Sequence, residues 1–505
     1  MTEDHAQRRH KEVGFVEEVK HYLVYIRGLP TVRVNDLLVD ESGRRAIVGS
    51  ILENRVEALM LDKVPFSVGD RLWVAKEKAQ VRIGSHLFGS VCDGLGNLVS
   101  HQQTDASQAP SVTDEESVVS FTHDVRARDI DERDFIKEQL HTGFSAIDLL
   151  VPIGKGQREL IFGPIDSGKD EFLREVVSSQ KGKDIVCIYA VVGKPAGFTE
   201  QLVREFTASG ALAHTIIISA PSTDAAPSIT VAPSTAFLFA EHFVAQGKDV
   251  LLILNDLGIH AQYLREVALL SGRVPGRESY PGDMFYQHAH LMERAGRFNK
   301  AAGGGSITLF PVMELNRESA QNLIPTNLMA STDGHLMFSA DVQAEGALPA
   351  VAVIESITRI GHHTQSSLTR ELSTRLMGIV SEYPRQQEYS RFGTTLSERT
   401  KRVLTQGSLI QILLNQKWVG PLDETMQIML CTLPLTSMSD DQKSPQNVRV
   451  YREDIMEILR EDDVFKEARE GATADMPFKE FLELMEQNVS AVTSLWQTSK
   501  TTKQN

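Results

Sequence analysis

Residues 163–170 read GPIDSGKD, directly after the apolar run ELIF and directly before a helix-like segment. The spacing G-x-x-x-x-G-K is that of a phosphate loop. Gly163 and Gly168 let the backbone of Pro164, Ile165, Asp166 and Ser167 converge N–H groups on phosphate oxygens, while the Lys169 ammonium reaches the outer phosphates. The next position calls for a hydroxyl on Mg²⁺, and here it is Asp170; Asp166 adds a second carboxylate to the loop. Each carboxylate facing a polyphosphate at about 4 Å costs on the order of 4 kcal/mol at an effective dielectric of about 20, comparable to what a good lysine contact supplies. A carboxylate that orients metal-bound water belongs at the end of a buried apolar strand. VLLIL at 250–254 is such a strand, but Asn255 follows it, and only then Asp256. An amide brings no charge to Mg²⁺, so the metal half of the site reads as dismantled and no metal ligands are assigned.

The elements that must carry this loop follow from periodicity. From Phe15 to Val99 apolar residues alternate in short runs separated by turn signals at 40–43 and 67–70, which predicts an N-terminal β-barrel over residues 1–99. The polar stretch 101–120 predicts a connecting loop. Short β-branched runs at 159–162, 185–192, 215–219, 250–254 and 306–312 alternate with helix-like segments at 170–179 and 199–209. That is the βαβ rhythm of a parallel sheet covered on both faces, here an α/β P-loop domain of the RecA-like kind over 100–364, with its ligand site at the carboxyl ends of the strands. Beyond 364 glycine becomes scarce and the spacing turns helical. Phe478, Phe481, Leu482, Met485, Val489, Val492 and Trp496 form one stripe, so 365–505 is predicted as a helical bundle.

The 505 residues carry 52 Lys+Arg against 67 Asp+Glu, a net charge of −15 without a basic run. This argues against a nucleic-acid binder that works by neutralising phosphates. Cys92, Cys187 and Cys431 are isolated from one another and read as buried, inert thiols. No signal peptide or membrane span is legible.

Four further stretches are familiar together: TGFSAIDLLVPIGKGQREL (142–160), PGRESYPGDMFY (275–286), IPTN (324–327) and SITRIG (356–361). With the phosphate loop they closely resemble the alpha subunit of the F-type rotary ATP synthase head, over nearly the whole chain. The resemblance implies a non-catalytic structural and regulatory subunit that alternates with beta subunits in an alpha3-beta3 ring around a gamma stalk. ATP or ADP with Mg²⁺ would sit mainly in beta, at the interface. It implies a peripheral complex on the cytoplasmic face of a bacterial inner membrane, touching the ion-translocating sector only through partners. Arg359 matches the arginine that alpha lends in trans to the neighbouring catalytic site, where a guanidinium spreads charge over a transferring phosphoryl group. Ser356 and Thr358 fall in the same motif and would shape that loop, or simply make strand-end hydrogen bonds.

The departures from the family gather where alpha would hold its own nucleotide: Asp166 for glutamine, Asp170 for threonine, Asn255 for aspartate, Leu348 for an adenine-side arginine and Trp418 for a glutamine, while Gln416 is kept. The expectation is an empty own site. Lys194 stands where alpha has glutamine and beta its catalytic glutamate, so no general base remains; it reads either as an exposed loop lysine or as one ammonium of an internal cluster with Lys169, Asp166 and Asp170. The usual N-terminal docking helix for the peripheral-stalk or delta subunit is not legible before Gly14. The alternative reading is a self-sufficient ring ATPase resembling a secretion motor or a Rho-like helicase, against which Asp170, Asn255 and Lys194 speak.

Overall fold

The computed structural model describes residues 12–75, 80–102, 109–110, 117–120, 127–273, 276, 280–315, 322–391, 397–416 and 420–502. The expectation at Trp418, the Trp496 side chain and part of the 275–286 motif lie outside the described residues. The contacts divide the chain into two compact units, one of residues 1–135, 155–162 and 180–333, the other of 136–154, 163–179 and 334–505.

In the first unit, strands β1 (Gly14–Lys20), β2 (Leu23–Arg27), β3 (Leu37–Val39), β4 (Arg45–Ile51), β5 (Val56–Met60) and β6 (Arg71–Val74) close into a barrel in the order β1-β2-β5-β4-β3-β6. Its interior holds Val24, Ile26, Leu38, Ala46, Val48, Ala58 and Leu72, all fully buried. The turn at 40–43 is tied by the Asp40 carboxylate, which accepts from the Ser42 and Arg44 amides, and Gly43 takes a positive φ.

Strands β7 (Gln80–Ile83) and β10 (Ser117–Ser120) pair with each other in a separate antiparallel ribbon. The expected barrel therefore stops before Val81, and the end of the expected loop 101–120 is a strand. Strands β8 (Ser90–Asp93) and β9 (Leu98–His101) belong to the central sheet, because the fully buried Cys92 lies in register beside Ile218. The expected boundary at residue 99 thus falls inside β9.

The sheet continues with β11 (Glu159–Gly163), β12 (Ile185–Val192), β13 (Thr215–Ala220), β14 (Asp249–Asn255) and β16 (Ser306–Glu314), in the order β11-β16-β14-β12-β13-β8-β9, with the short β15 (Gly296–Arg297) on β16. β12 is buried along all eight residues and runs parallel to β13 and β14, which explains its unbroken IVCIYAVV sequence: both faces are covered. The helix Ala226–Ala245 is buried almost throughout. Helix Leu257–Leu270 starts at the end of β14, where the Asp256 side chain caps it.

The second unit holds the phosphate loop, the helix Lys169–Ser179, the hairpin of β17 (Gly334–Met337) with β18 (Ile357–Thr358), and helices from Ser367–Arg391 to Phe478–Thr502. On the last helix Phe478, Phe481, Met485, Val489 and Val492 are buried, as the stripe predicts.

Candidate functional site

The phosphate loop forms after β11 and leads into helix Lys169–Ser179. Asp166 and Gly168 take positive φ, which is why this tight turn needs glycine at 168 and tolerates an aspartate at 166. A Cβ on Gly163 would meet the Phe338 carbonyl oxygen at 2.6 Å, and one on Gly168 would meet Gln343 Oε1 at 2.7 Å. Gln343, which no motif singles out, therefore lies against the loop glycine. Lys169 is buried at 2% exposure; its ammonium donates to the Pro164 carbonyl at 3.3 Å and lies 4.0 Å from Asp170 Oδ2. Ser167 Oγ donates to the same carbonyl at 2.7 Å. Asp170 and Glu171 occupy the first helical turn, where the helix dipole favours a carboxylate. Asp166 and Ile165 are exposed.

Two expectations around this loop need correction. The expected four-group cluster does not form as drawn, because Asp166 faces solvent and Lys194 is paired with Glu314. Lys194 is not an exposed loop lysine either; it is 6% exposed. Gln416, expected at the nucleotide, is fully buried and spends its amide on backbone. Its Oε1 accepts from the Ser145 amide at 2.5 Å, and its Nε2 donates to the carbonyls of Gly143 and Gly420, each at 2.8 Å. The backbone of Gln416 in turn donates to the Leu348 carbonyl at 2.8 Å, and Asn415 Oδ1 accepts from the Leu348 amide at 3.1 Å. Gln416 is thus a clamp between segments of the second unit.

In the first unit, the carboxyl ends of β12, β14 and β16 converge. Asn255 Nδ2 donates to the Tyr189 hydroxyl at 2.9 Å. Asp256, 1% exposed, accepts on Oδ1 from the amides of Gly258 and Ile259 at 2.5 and 3.0 Å, and on Oδ2 from the Glu314 amide at 2.7 Å. Burial pushes the Asp256 carboxyl above its ordinary range, and the Lys194 charge pulls against that shift. The Lys194 ammonium is bonded to Glu314 Oε1. Glu314 was missed by sequence reasoning; its signal was its place at the end of a buried parallel strand.

Arg359 follows β18 and is exposed. Burial first, then the opposing bond to the Glu355 carbonyl, and then the Arg359 charge act on His335, with a net lowering of its pKa. The two hydroxyls before Arg359 are engaged with backbone. Ser356 Oγ accepts from the Met337 amide and donates to the Ala352 carbonyl, at 3.0 and 2.9 Å. Thr358 Oγ1 donates to the Pro152 carbonyl at 2.8 Å and accepts from the Gly361 amide at 3.0 Å. Both hydroxyls therefore shape the loop. A Cβ on Gly361 would fall 1.6 Å from the Pro152 carbonyl oxygen, so only glycine permits this approach.

Among the described residues no group of three or more His, Cys, Asp and Glu is arranged to hold a metal ion, and no helix is long and apolar enough to cross a membrane. The three cysteines are buried and free, and burial raises the Cys92 and Cys431 thiols to about 12, which keeps them protonated and unreactive.

Residues 143–358 match the nucleotide-binding domain of the ATP synthase alpha/beta family, and residues 365–488 match the C-terminal domain of the ATP synthase alpha/beta chain. The chain is 34% identical over 422 residues to ATP synthase subunit alpha 2 of Syntrophotalea carbinolica, covering 83% of this chain and 79% of that one. It is 33% identical to subunit alpha 2 of Syntrophus aciditrophicus, covering 91% and 86%, and 32% identical to subunit alpha 2 of Nitrosospira multiformis, covering 87% and 84%. With the barrel, the mixed α/β sheet and the helical C-terminal region in that order, this chain belongs to the F-type ATP synthase alpha subunits.

Proposed function

We propose that this chain is the non-catalytic member of an alternating ring with beta-type subunits around a gamma stalk, lending Arg359 to the nucleotide held by its neighbour. The observation that carries this reading is the exposed Arg359 on a strand end clamped through Thr358 and Gly361 to the Pro152 carbonyl. A guanidinium presented from a fixed backbone supplies planar, bidentate charge to a phosphoryl group of another chain without reorganising when the charge develops. Mg-ATP or Mg-ADP would be held chiefly by the beta-type neighbour, with the peripheral stalk and the membrane sector as further partners on the cytoplasmic face of a bacterial inner membrane.

The chain's own phosphate loop supports no ordinary Mg-nucleotide site. Asp170 replaces the hydroxyl, Lys169 is turned onto Pro164 and Asp170, and Gln416 is consumed as a clamp. Lys194 replaces any general base, which weighs against a self-sufficient ring ATPase. The reading is tested in the ring reconstituted with its beta-type partner. Arg359→Ala and Arg359→Lys should leave assembly intact and lower multisite turnover by about 10³-fold or more, the usual effect of losing such an arginine. Unchanged turnover in an assembled ring refutes it. Calorimetric titration of the chain with Mg-ATP should show no micromolar binding.

A further inference from the structure

A cavity of about 730 Å³ lies within the first unit, between barrel residues 61–63, the β8-β9 hairpin, the end of β13 and helix Ala196–Ser209. Small-molecule sites are of this size, roughly 300–1,000 Å³. Leu61, Val91, Leu95, Val203 and Pro221 give it apolar walls, and Val99, which also lines it, is exposed, so the cavity opens along β9. Its charged lining is lopsided: Asp62, Asp93, Glu200 and Asp224 are matched only by Lys63 and Arg204.

Three of the four carboxylates are engaged elsewhere. Asp62 holds Arg45, accepting from its amide at 2.6 Å and from its Nη2 at 2.7 Å. Asp93 closes its own turn, accepting from the Leu95 and Asn97 amides at 2.9 and 2.8 Å. Glu200 lies in solvent, 3.9 Å from Arg204 one helical turn on. Asp224 is different. It stands in the turn between β13 and helix Ala226–Ala245, where its amide donates to the Pro221 carbonyl at 2.9 Å. Its side chain is only 10% exposed, and among the described residues its one partner is the Lys63 ammonium, 2.7 Å from Oδ1. That oxygen is buried and receives no well-formed hydrogen bond.

We propose that this cavity binds a small amphipathic cation, a primary ammonium held by the Asp224 carboxylate with its apolar body against Val91, Leu95 and Val203. Lys63 shows which head group the carboxylate accepts. Its own side chain is 66% exposed, so the pair reaches into water and giving it up costs little. A ligand ammonium replaces the same charge and brings apolar surface that covers the walls, which the lysine stem does not. An anion would meet the negative lining, and a neutral ligand would cover the carboxylate without returning the charge it needs. The hydroxyls of Thr199 and Ser219, also in the lining, bond to each other at 2.8 Å, which leaves Asp224 as the charged anchor. Nothing in this site depends on Arg359 or on the phosphate loop.

The test titrates the full chain with phenethylammonium chloride by calorimetry and follows the same probe by saturation-transfer NMR, with phenethyl alcohol and phenylpropanoate as the neutral and anionic counterparts. The ammonium should bind at one site with a dissociation constant on the order of 1 mM or below. The alcohol and the carboxylate should bind at least about tenfold more weakly, since they bring Asp224 no charge or the wrong one. Asp224→Asn keeps the shape and removes the anchor, and should lose about tenfold or more. Lys63→Met removes the internal competitor on an exposed side chain and should tighten binding by about threefold. Val203→Trp fills the cavity and should abolish the saturation transfer. Folding of each variant is checked by circular dichroism, and if Asp224→Asn does not fold, the opposite effects of Lys63→Met and Val203→Trp decide the matter. The proposal is overturned if the ammonium does not bind at millimolar concentration or the alcohol binds as tightly. It is equally overturned if a folded Asp224→Asn binds like wild type, if Lys63→Met weakens binding, or if Val203→Trp leaves it unchanged.

Discussion

Replacing Thr358 with valine tests whether Arg359 is held in place by a backbone clamp. Valine keeps the shape and the β-branch of threonine, so β18 should persist, but the hydroxyl that joins the Pro152 carbonyl at 2.8 Å to the Gly361 amide at 3.0 Å is gone. Pro152 and Gly361 are buried, so both backbone groups lose a partner where water cannot easily replace it. A buried polar group left unsatisfied costs about 1–3 kcal/mol, and two of them put the clamped arrangement about 2–6 kcal/mol above its present level. Since 1.4 kcal/mol is about tenfold in population, even the low end of that range should let the arginine leave its working position often enough to lower turnover of the reconstituted ring by about 30-fold. That is less than the loss expected from removing the guanidinium itself. Thr358→Ser, which keeps the hydroxyl, should retain most of the turnover. Assembly is checked by gel filtration and turnover by phosphate release at saturating Mg-ATP. If valine works as well as threonine, or serine fails as badly as valine, the hydroxyl is not what positions Arg359.

Gly361→Ala places a methyl carbon 1.6 Å from the Pro152 oxygen, and should destabilise the second unit by about 3 kcal/mol or more while abolishing turnover; an alanine variant with wild-type urea midpoint and rate contradicts the close approach. Gln416→Leu strips three buried hydrogen bonds from Gly143, Ser145 and Gly420 and should lower unfolding free energy by about 2–4 kcal/mol, whereas Gln416→Leu with unaltered stability would mean the amide is not a clamp. His288 is fully buried against His260 at 3.1 Å; burial, and secondarily His260, lower its pKa from 6.5 to about 3. Its unfolded form therefore takes up a proton below pH 6.5 that the folded form refuses, so stability falls with decreasing pH through that window, by about 1.4 kcal/mol per unit. His288→Gln should remove that slope from urea titrations between pH 6 and pH 4, about one proton's worth, and identical slopes would show that His288 is protonated in the fold.

The phosphate loop, the parallel-sheet rhythm and the last helix were legible because each is a local pattern. Gly163 and Gly168 are demanded by chain geometry within eight residues, IVCIYAVV by burial of both strand faces, and the Phe478 stripe by helical period. The ends of the barrel were not legible, because Val81, Val91 and Cys92 alternate as barrel residues would, and only pairing partners far along the chain assign β7 and β8 elsewhere. The resemblance to the family likewise marked Asp166, Asp170 and Asn255 as departures. It could not say where the remaining charges would turn.

The family, the order of barrel, sheet and helices, and the residue types at Asp170 and Asn255 were all readable along the chain. Tertiary structure alone decided that Lys194 meets Glu314, 120 residues away. It alone set the Gln416 amide against the backbone of residues 271 and 273 positions earlier. It alone closed Thr358 onto Pro152, 206 residues before it. A charge or an amide buried by folding must find a partner within about 3 Å, and which partner is nearest is fixed by how strands β12, β14 and β16 line up and how helices pack, not by any spacing along the chain.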